Sequence, residues 1–289
     1  MCLIRLRTLR IWRSSGHGNI MLKGRTWGLA ELPRIGGWRK PHELNIWAPI
    51  KKGELHLNTT YENNLKKLRT SKYDNMKITI LVDTIDSWIH PWAKALENQF
   101  EAMGHSVSCV ASANDIGNGD IAFLLGCIKL VPADILHKNK HNIVVHPSDL
   151  PNGKGFSPLA WQVLQGKNEI PIVLFDAVSE ADGGDIYMRN IIRLDGTELN
   201  EQIKHKQGIE TFLMCIQFVQ QYDELVPETQ NGDESFYKRR TKEDSQLDPE
   251  KTIAEQFNLL RVVDNDRYPA FFYLNGERYT LHIFKRNLS

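Results

Sequence analysis

The chain has 289 residues, enough for one large domain or two modest ones, and its composition is that of an ordinary soluble globular protein. Its net charge is +1, but residues 1–75 carry 15 Lys and Arg against 5 Asp and Glu, so the remainder carries −9. The absence of a run of about eighteen apolar residues excludes a predicted transmembrane helix. The four cysteines lack metal-like spacing, and Cys109 and Cys215 lie in apolar runs, so we expect buried free thiols and a reducing cytoplasm.

Residues 1–75 show weak periodicity, although they hold four of the seven tryptophans. The basic start lacks a clean apolar stretch followed by a cleavage site, which argues against a secretory signal. Three interpretations stay open for this N-terminal extension. The one we prefer is a mistaken extension or disordered tail ahead of a true start at Met76. The others are a basic arm that binds RNA or an anionic surface, and a small domain of unrecognised type.

From Met76 onward, short apolar runs alternate with amphipathic segments. Strands are predicted at Lys77–Asp83, His105–Ser112, Asp120–Gly126, Asn142–His146, Ile170–Asp176 and Tyr187–Leu194. Helices are predicted at His90–Met103, Pro132–His137, Pro158–Gly166 and Thr197–Tyr222. This alternation predicts an α/β domain, residues 76–225, built on a parallel sheet with crossover helices on both faces.

Two loops of this domain carry groups that suit chemistry. After the fourth strand comes His146–Pro151, where prolines and following glycines force a loop, so the His lies at the carboxyl end of a strand. A later loop contains Asp182–Ile186 with two glycines. Because each loop follows a strand at the same edge of the sheet, we expect His146 and Asp182 to meet. A carboxylate beside an imidazole favours its charged form, and such a pair can exchange a proton with an amine, although on spacing alone it is more often structural.

The string HPSDLPNGKGFSPLAW at residues 146–161, followed by DGGDI at 182–186, resembles the formyltransferase family. That family includes methionyl-tRNA, glycinamide-ribonucleotide and sugar-nucleotide formyltransferases. The resemblance covers about residues 76–225 and implies a Rossmann-like domain that uses 10-formyltetrahydrofolate as formyl donor, without a metal. It also implies that His146 handles the proton and stabilises the oxyanion, while Asp182 orients and charges the His.

One departure from the family pattern concerns the residue two positions before the His. The family has an Asn there, and this chain has Val144. Asn142 lies about 13 Å before His146 at 3.3 Å per residue, so it cannot take over. Loss of one oxyanion donor costs on the order of 100- to 1000-fold in rate. Either a backbone amide or another side chain compensates, or the protein is slow or inactive. Ser148 and Lys154 are the nearest side-chain replacements, although a structural role in the loop is commoner for both.

Other site residues are predicted from position alone. Asp149 stands where the family usually has Leu; a solvent-facing role is the default, and contact with a substrate amine or hydroxyl is the alternative. The predicted folate contacts are Cys127, Ile128, Lys129, Leu130 and Asp176. The predicted substrate contacts are Ser148, Asp149, Lys154, Arg239 and Arg240. No metal site is predicted, because lysines flank the one spaced pair, His137 and His141.

The end of the chain predicts a linker at residues 226–235 and a small α+β subdomain at 236–289. The subdomain has a predicted helix at Lys251–Val263 and strands at Tyr268–Tyr273 and Glu277–Phe284, joined by an Asn275-Gly276 hairpin turn. The strings RRTKEDSQLD at 239–248 and RVVDNDRYPAFF at 261–272 resemble the corresponding segment of sugar-nucleotide formyltransferases. That resemblance implies that Arg239 and Arg240 contact a nucleotide phosphate; a solvated charge pair stays equally open.

The charge of this subdomain bears on the acceptor. From Glu234 onward there are 10 Lys and Arg against 9 Asp and Glu, whereas tRNA binding needs a broad basic surface. About 55 residues are also few for a five-stranded barrel. We therefore expect a small nucleotide-linked amino sugar as acceptor, without a membrane partner. Methionyl-tRNA bound by the basic extension, and a non-catalytic member that lost its Asn, stay as alternatives, and a homodimer is left open.

Overall fold

A six-stranded sheet organises residues 75–286, the part of the chain that the computed structural model describes. The interpretations of residues 1–75 fall, apart from Asn75, outside these described residues. The strands are β1 Lys77–Leu81, β2 Ser106–Val110, β3 Gly119–Leu124, β4 Asn139–His146, β5 Lys154–Gly155, β6 Glu169–Asp176, β7 Ile186–Arg193, β8 Phe236–Tyr237, β9 Ala270–Leu274 and β10 Glu277–Leu281. The helices are α1 His90–Ala102, α2 Ala133–Leu136, α3 Pro158–Leu164, α4 Asn200–Gln220 and α5 Phe257–Val262.

The strand order of the sheet is β2-β1-β3-β4-β6-β7. The first four run parallel, which places the carboxyl ends of β1, β3 and β4 at one edge. β6 is antiparallel to β4, with His146 opposite Val173, and β7 is antiparallel to β6. The α/β class is confirmed, but the expectation of a wholly parallel sheet is wrong for β6 and β7. A strand buried on both faces is a continuous apolar run in either direction, so its sequence does not reveal its direction.

Helices cover both faces of the sheet, as predicted, but unequally. On one face, α1 and α4 pack over the strands, and Phe100 of α1 stacks on Phe123 of β3 with 5.4 Å between ring centroids. A Cβ on Gly208 of α4 would lie 2.1 Å from the Trp92 ring, so a glycine allows this close approach. The other face is covered by the short α2 with Ile135 and its neighbours. In residues 75–286, no helix is both long enough and apolar enough to cross a bilayer.

The C-terminal helix is shorter than predicted. The prediction of Lys251–Val263 is wrong because α5 begins only at Phe257. The Nε2 amide of Gln256 donates to the carbonyls of Asp248 and Lys251, so side-chain bonds replace helical ones before that point. The predicted hairpin is confirmed between β9 and β10. Asn275 and Gly276 have φ of 52° and 83°, as a two-residue hairpin turn of type I′ requires.

A buried ion pair attaches the C-terminal segment to the rest of the described chain. Arg261 of α5 is 1% exposed and donates to the carboxylate of Glu198 at 3.3 Å and to the side chain of Asn168 at 3.1 Å. A buried guanidinium is tolerated only with such partners. All the described residues fall in one compact unit, and the division into domains at 225 and 235 stays a prediction.

Glu210 of α4 is a buried carboxyl that faces the sheet. Its Oε2 accepts a hydrogen bond from Asn190 Nδ2 at 2.8 Å. Burial raises the pKa of Glu210 from 4.5 to about 7. The folded state therefore holds this proton more tightly than the unfolded chain does.

The free energy of unfolding contributed by Glu210 falls as pH rises from about 4.5 to about 7. We expect Glu210→Gln, which keeps an acceptor but cannot ionise, to be more stable than wild type at pH 8 by on the order of 3 kcal/mol. The difference in the free energy of unfolding between the variant and the wild type is smaller at pH 5. Urea unfolding at both pH values measures it, and Glu201→Gln on the exposed side of α4 is the control. An equal gap at the two pH values would contradict the raised pKa.

Candidate active site

His146 ends β4 and is 7% exposed. Its Nε2 lies 2.9 Å from the carbonyl oxygen of Gly153, to which it donates. Its Nδ1 lies 3.9 Å from Oδ1 of Asp182. The other oxygen of Asp182 accepts the backbone N–H of Gly155 at 2.8 Å. The two sequence-predicted residues are thus brought together, and each ring nitrogen of His146 faces an oxygen.

Asp182 reaches His146 by a route that differs from the predicted one. Because β6 runs antiparallel, Asp176 at its end pairs with Ile143, three positions before His146. The expectation that both loops follow strands at the same edge of the sheet is therefore wrong. The acid loop, residues 177–185, instead folds back towards His146, with Asp182 at a φ of +51°. A Cβ on Gly184 would lie 1.6 Å from the Asp176 carbonyl oxygen, so this return requires a glycine.

The position of the family Asn is apolar in the fold. Val144 shares a face of β4 with His146 and packs against the cluster of Leu150, Val173, Phe175 and Ile186. Asn142, one step further along that face, donates its amide to the Leu136 carbonyl at 2.8 Å. The side-chain amide nitrogen of Asn142 is therefore bonded to the Leu136 carbonyl and does not face His146.

The two predicted replacements for that Asn differ in their surroundings. Ser148 is 1% exposed, and its Oγ has no hydrogen-bond partner among residues 75–286. The amine of Lys154 is 2.5 Å from Glu234 and 3.3 Å from Glu180. Burial alone would lower the pKa of Lys154, but hydrogen bonds to Glu234 and then Glu180 outweigh it and leave the pKa raised. Lys154 is thus held in ion pairs, and Ser148 has the uncommitted group.

Asp149 is exposed and forms an ion pair with Arg189, whose Nη1 donates to Asp149 Oδ1 at 2.7 Å. The pair lies in a cleft of about 440 Å³ lined by residues 149–152, Arg189 and residues 231–233. His146 does not line this cleft. Asp149 is thus held in an ion pair with Arg189 at this cleft.

The segment Cys127–Leu130 follows β3 at the edge where β4 ends. Asp83, after β1, holds it by accepting the N–H groups of Ile128 and Lys129 at 3.0 and 2.9 Å. Burial first, and then the charge of Asp83, raises the pKa of Cys127 to about 12, so the thiol stays neutral. Asp83 is not among the residues predicted from the sequence, although a carboxylate directly after a buried strand is a recognisable signal.

Asp176 has different partners from the other predicted folate contacts. Its Oδ2 lies 3.2 Å from Nδ1 of His141, and its Oδ1 accepts the N–H of Asn142 at 2.8 Å. The hydroxyl of Tyr187 also contacts His141, at 3.0 Å. The structure therefore joins Asp176 to the middle of β4. Among residues 75–286, no group of three or more His, Cys, Asp or Glu side chains is placed to hold a metal.

Arg239 and Arg240 are adjacent but occupy different environments. The guanidinium of Arg239 is exposed and lies 4.3 Å from the ring centroid of Phe156, in the loop after His146. Arg240 donates to the carbonyls of Val262 and Asp244 at 2.9 and 3.3 Å, and burial lowers its pKa. Arg240 is used by the C-terminal fold, whereas Arg239 is open to a ligand.

A third segment, most of which lies in the predicted linker at residues 226–235, completes the site. This tail segment, residues 228–237, forms a backbone bridge between Glu228 and Ile186 with two hydrogen bonds of 2.8 Å. The carbonyl of Ser235 accepts the N–H groups of Gly153 and Lys154, and β8 then pairs with β5. The tail segment thus fixes the loop whose carbonyl binds His146. Its polar, aperiodic sequence gave no signal of this role.

Replacement of Gly184 tests the return of the acid loop. Because a Cβ there meets backbone at 1.6 Å, we expect Gly184→Ala to lower the free energy of unfolding by about 1–3 kcal/mol or more. Gly117→Ala is the matched control, since nothing lies within 4 Å of its added Cβ. Urea unfolding measures both variants. Equal stability of the two would show that the loop does not need this close approach.

A family model described as formyl transferase matches residues 88–210, which contain both His146 and Asp182. Over 163 residues the chain is 26% identical to methionyl-tRNA formyltransferase from Ehrlichia ruminantium (strain Gardel). That match covers 56% of this chain and 52% of the relative, so the chain spans about half the length of the curated relatives it matches.

Two solved structures show the same fold. Methionyl-tRNA formyltransferase from Clostridium thermocellum is similar with a TM-score of 0.60 and 22% identity, over 70% of this chain and 90% of that chain. A sugar N-formyltransferase from a Shewanella species is similar with a TM-score of 0.54 and 13% identity, over 74% of this chain and 99% of that chain. At these identities the likeness establishes the Rossmann-like fold alone.

Proposed function

We propose that this chain transfers a formyl group from 10-formyltetrahydrofolate to a primary amine, because residues 88–210 match a family model described as formyl transferase. One observation carries the proposal: a buried His146 at the carboxyl end of β4 faces Asp182 at 3.9 Å inside the matched domain. A buried imidazole with a carboxylate at one nitrogen can accept and return a proton without leaving its place.

The proposed reaction forms one amide bond and breaks another. The lone pair of the acceptor amine attacks the formyl carbon, and the carbonyl electrons move to its oxygen. The intermediate then collapses, the bond from the formyl carbon to N10 of the folate breaks, and N10 takes a proton. His146 stabilises the oxyanion through its Nε2–H. Nε2 then gives that proton to N10 as the bond to N10 breaks, and takes the proton that the acceptor nitrogen loses in its place. Asp182 orients the ring and balances its charge when it is protonated.

Access of the formyl oxygen to His146 depends on the loop that follows it. The Nε2 hydrogen is given to the Gly153 carbonyl at 2.9 Å, so the formyl oxygen would take the place of that carbonyl. Val144 supplies no second donor. The hydroxyl of Ser148, buried and without a partner in the described chain, is the group that would supply it. We assign Ser148 rather than Lys154 to this role, because the Lys154 amine is already bound by two carboxylates.

The donor would lie against the segment Cys127–Leu130. Its support is that this segment and His146 follow parallel neighbouring strands at one edge of the sheet. Ile128 and Leu130 expose apolar side chains there, at 45% and 67% of their surface. Cys109, Cys127 and Cys215 are free thiols, which fits the cytoplasmic location that we propose. Cys215 is buried as expected, but Cys109 is exposed, so the expectation of burial is wrong for Cys109.

For the acceptor, we propose an amino sugar carried on a nucleotide. Arg239 is exposed and stacks on Phe156, which directly follows Gly155, the residue whose amide binds Asp182. This exposed guanidinium near the site supports a role for Arg239 in binding a phosphate of the nucleotide. The second candidate acceptor is methionyl-tRNA, which the similarity to methionyl-tRNA formyltransferases favours. The apolar Val144 also favours a third reading, a family member with little or no catalysis.

Turnover and its dependence on His146 test the proposed reaction. We expect release of tetrahydrofolate, followed by absorbance, with at least one member of a panel of amino-sugar nucleotides. His146→Gln should lower kcat by about 100- to 10,000-fold, because it removes the proton carrier. His137→Gln, on the exposed surface of the fold, should keep the wild-type rate. An unchanged kcat in His146→Gln, or no turnover with any amine, would contradict the proposal.

The acceptor is tested separately at Arg239. Arg239→Ala should raise the KM for the nucleotide sugar by about 10- to 100-fold, which is the loss expected for one charge-assisted hydrogen bond. Arg278→Ala is the matched control, because Arg278 also stacks on a Phe ring, at 4.0 Å from Phe271, but in the C-terminal hairpin. Formylation of methionyl-tRNA with a steep salt dependence, and none of nucleotide sugars, would establish the tRNA alternative instead.

A further inference from the structure

Gln230, in the tail segment, holds the backbone of the acid loop. Its Nε2 amide donates to the carbonyl of Asp182 at 2.8 Å and to the carbonyl of Gly184 at 2.7 Å. Both hydrogens of one amide group are therefore used on two carbonyls of the same turn. The Oε1 of Gln230 is buried and has no partner in the described part of the chain. All the bonding of this side chain is thus directed at the acid loop.

The backbone that presents Gln230 is itself anchored. Glu228 exchanges two hydrogen bonds of 2.8 Å with Ile186, the first residue of β7. Gln230 therefore lies two residues after a backbone bridge to Ile186, the residue that directly follows the acid loop.

The turn that Gln230 holds decides where the carboxylate of Asp182 lies. Asp182 has a φ of +51°, a left-handed conformation that is uncommon outside glycine. In that conformation its Oδ2 accepts the Gly155 N–H at 2.8 Å and its Oδ1 faces His146. A side chain that fastens the carbonyls on both sides of the turn stabilises this conformation over the right-handed one.

We propose that Gln230 is a positioning residue, which acts on the reaction by fixing Asp182 opposite His146. This inference rests on the proposed formyl transfer, since Asp182 acts there through the ring of His146. Gln230 itself touches neither the ring nor the carboxylate in its hydrogen bonds. Its effect should therefore be on the chemical step and not on substrate affinity.

Gln230→Met tests the proposal, because Met has a similar length but no donors and leaves no new buried charge. We expect kcat to fall by about 10- to 100-fold with little change in KM, the size of effect that a displacement near 1 Å produces. The matched control is Gln256→Met, which removes another amide that binds backbone carbonyls, those of Asp248 and Lys251, away from the acid loop. That variant should keep the wild-type kcat.

A double-mutant cycle separates positioning from general destabilisation. If Gln230 acts through Asp182, then in an Asp182→Asn background the further change Gln230→Met should alter kcat by less than about twofold. A role limited to folding would instead give losses that multiply. Multiplying losses, or a wild-type kcat in Gln230→Met alone, would overturn the proposal.

A readout that needs no turnover keeps this test apart from the proposed function. Hydrogen exchange of the Gly155 amide reports its bond to the Asp182 carboxylate. We expect Gln230→Met to speed this exchange by about tenfold or more, because local opening of the acid loop becomes easier. Gln256→Met should leave it unchanged. Unchanged exchange in Gln230→Met would overturn the positioning role even if the wild type formylates no amine.

Discussion

The carboxylate of Asp182 is the point on which the site depends. One of its oxygens accepts the Gly155 N–H, and the other faces the imidazole of His146. It therefore joins the loop after β4 to the acid loop, and these two segments are far apart in the sequence. Without this junction the imidazole would keep its bond to the Gly153 carbonyl but lose its carboxylate. The proton chemistry proposed for His146 rests on a single side chain in a left-handed turn.

The direction of β6 explains why that turn needs so much support. An antiparallel β6 delivers Asp176 opposite Ile143, and the acid loop must return along β4 to reach His146. Such a return has no apolar core of its own. It is held by backbone contact at Gly184, by the amide of Gln230, and by the ion pairs of Lys154 with Glu180 and Glu234. Polar contacts from three separate segments thus stabilise the acid loop, whereas a hydrophobic core stabilises other parts of the fold.

The sequence was informative where a local pattern determines structure. Apolar runs and helical spacing located the six strands and four helices of the sheet domain, and Asn275-Gly276 located the hairpin turn. His146 and Asp182 followed from their motif. The direction of β6 was not predictable, because a strand buried on both faces has no polar face to orient it. Lys154 and Glu234 are 80 residues apart in the sequence and come into contact only in the folded chain. No local pattern in the tail segment predicts that contact.

Because Val144 supplies no side-chain donor, we propose that the imidazole of His146 meets the formyl oxygen. Histidine nitrogen NMR, during titration with a 10-formyltetrahydrofolate analogue that cannot release its formyl group, tests this most directly. His141, bound to Asp176 and Tyr187 on the other face of β4, is the internal reference. We predict that the Nε2 resonance of His146 shifts with saturation as its hydrogen bond passes from Gly153 to the ligand, while His141 stays unchanged. Saturable binding with no shift at His146 would contradict the assignment of this residue to the reaction.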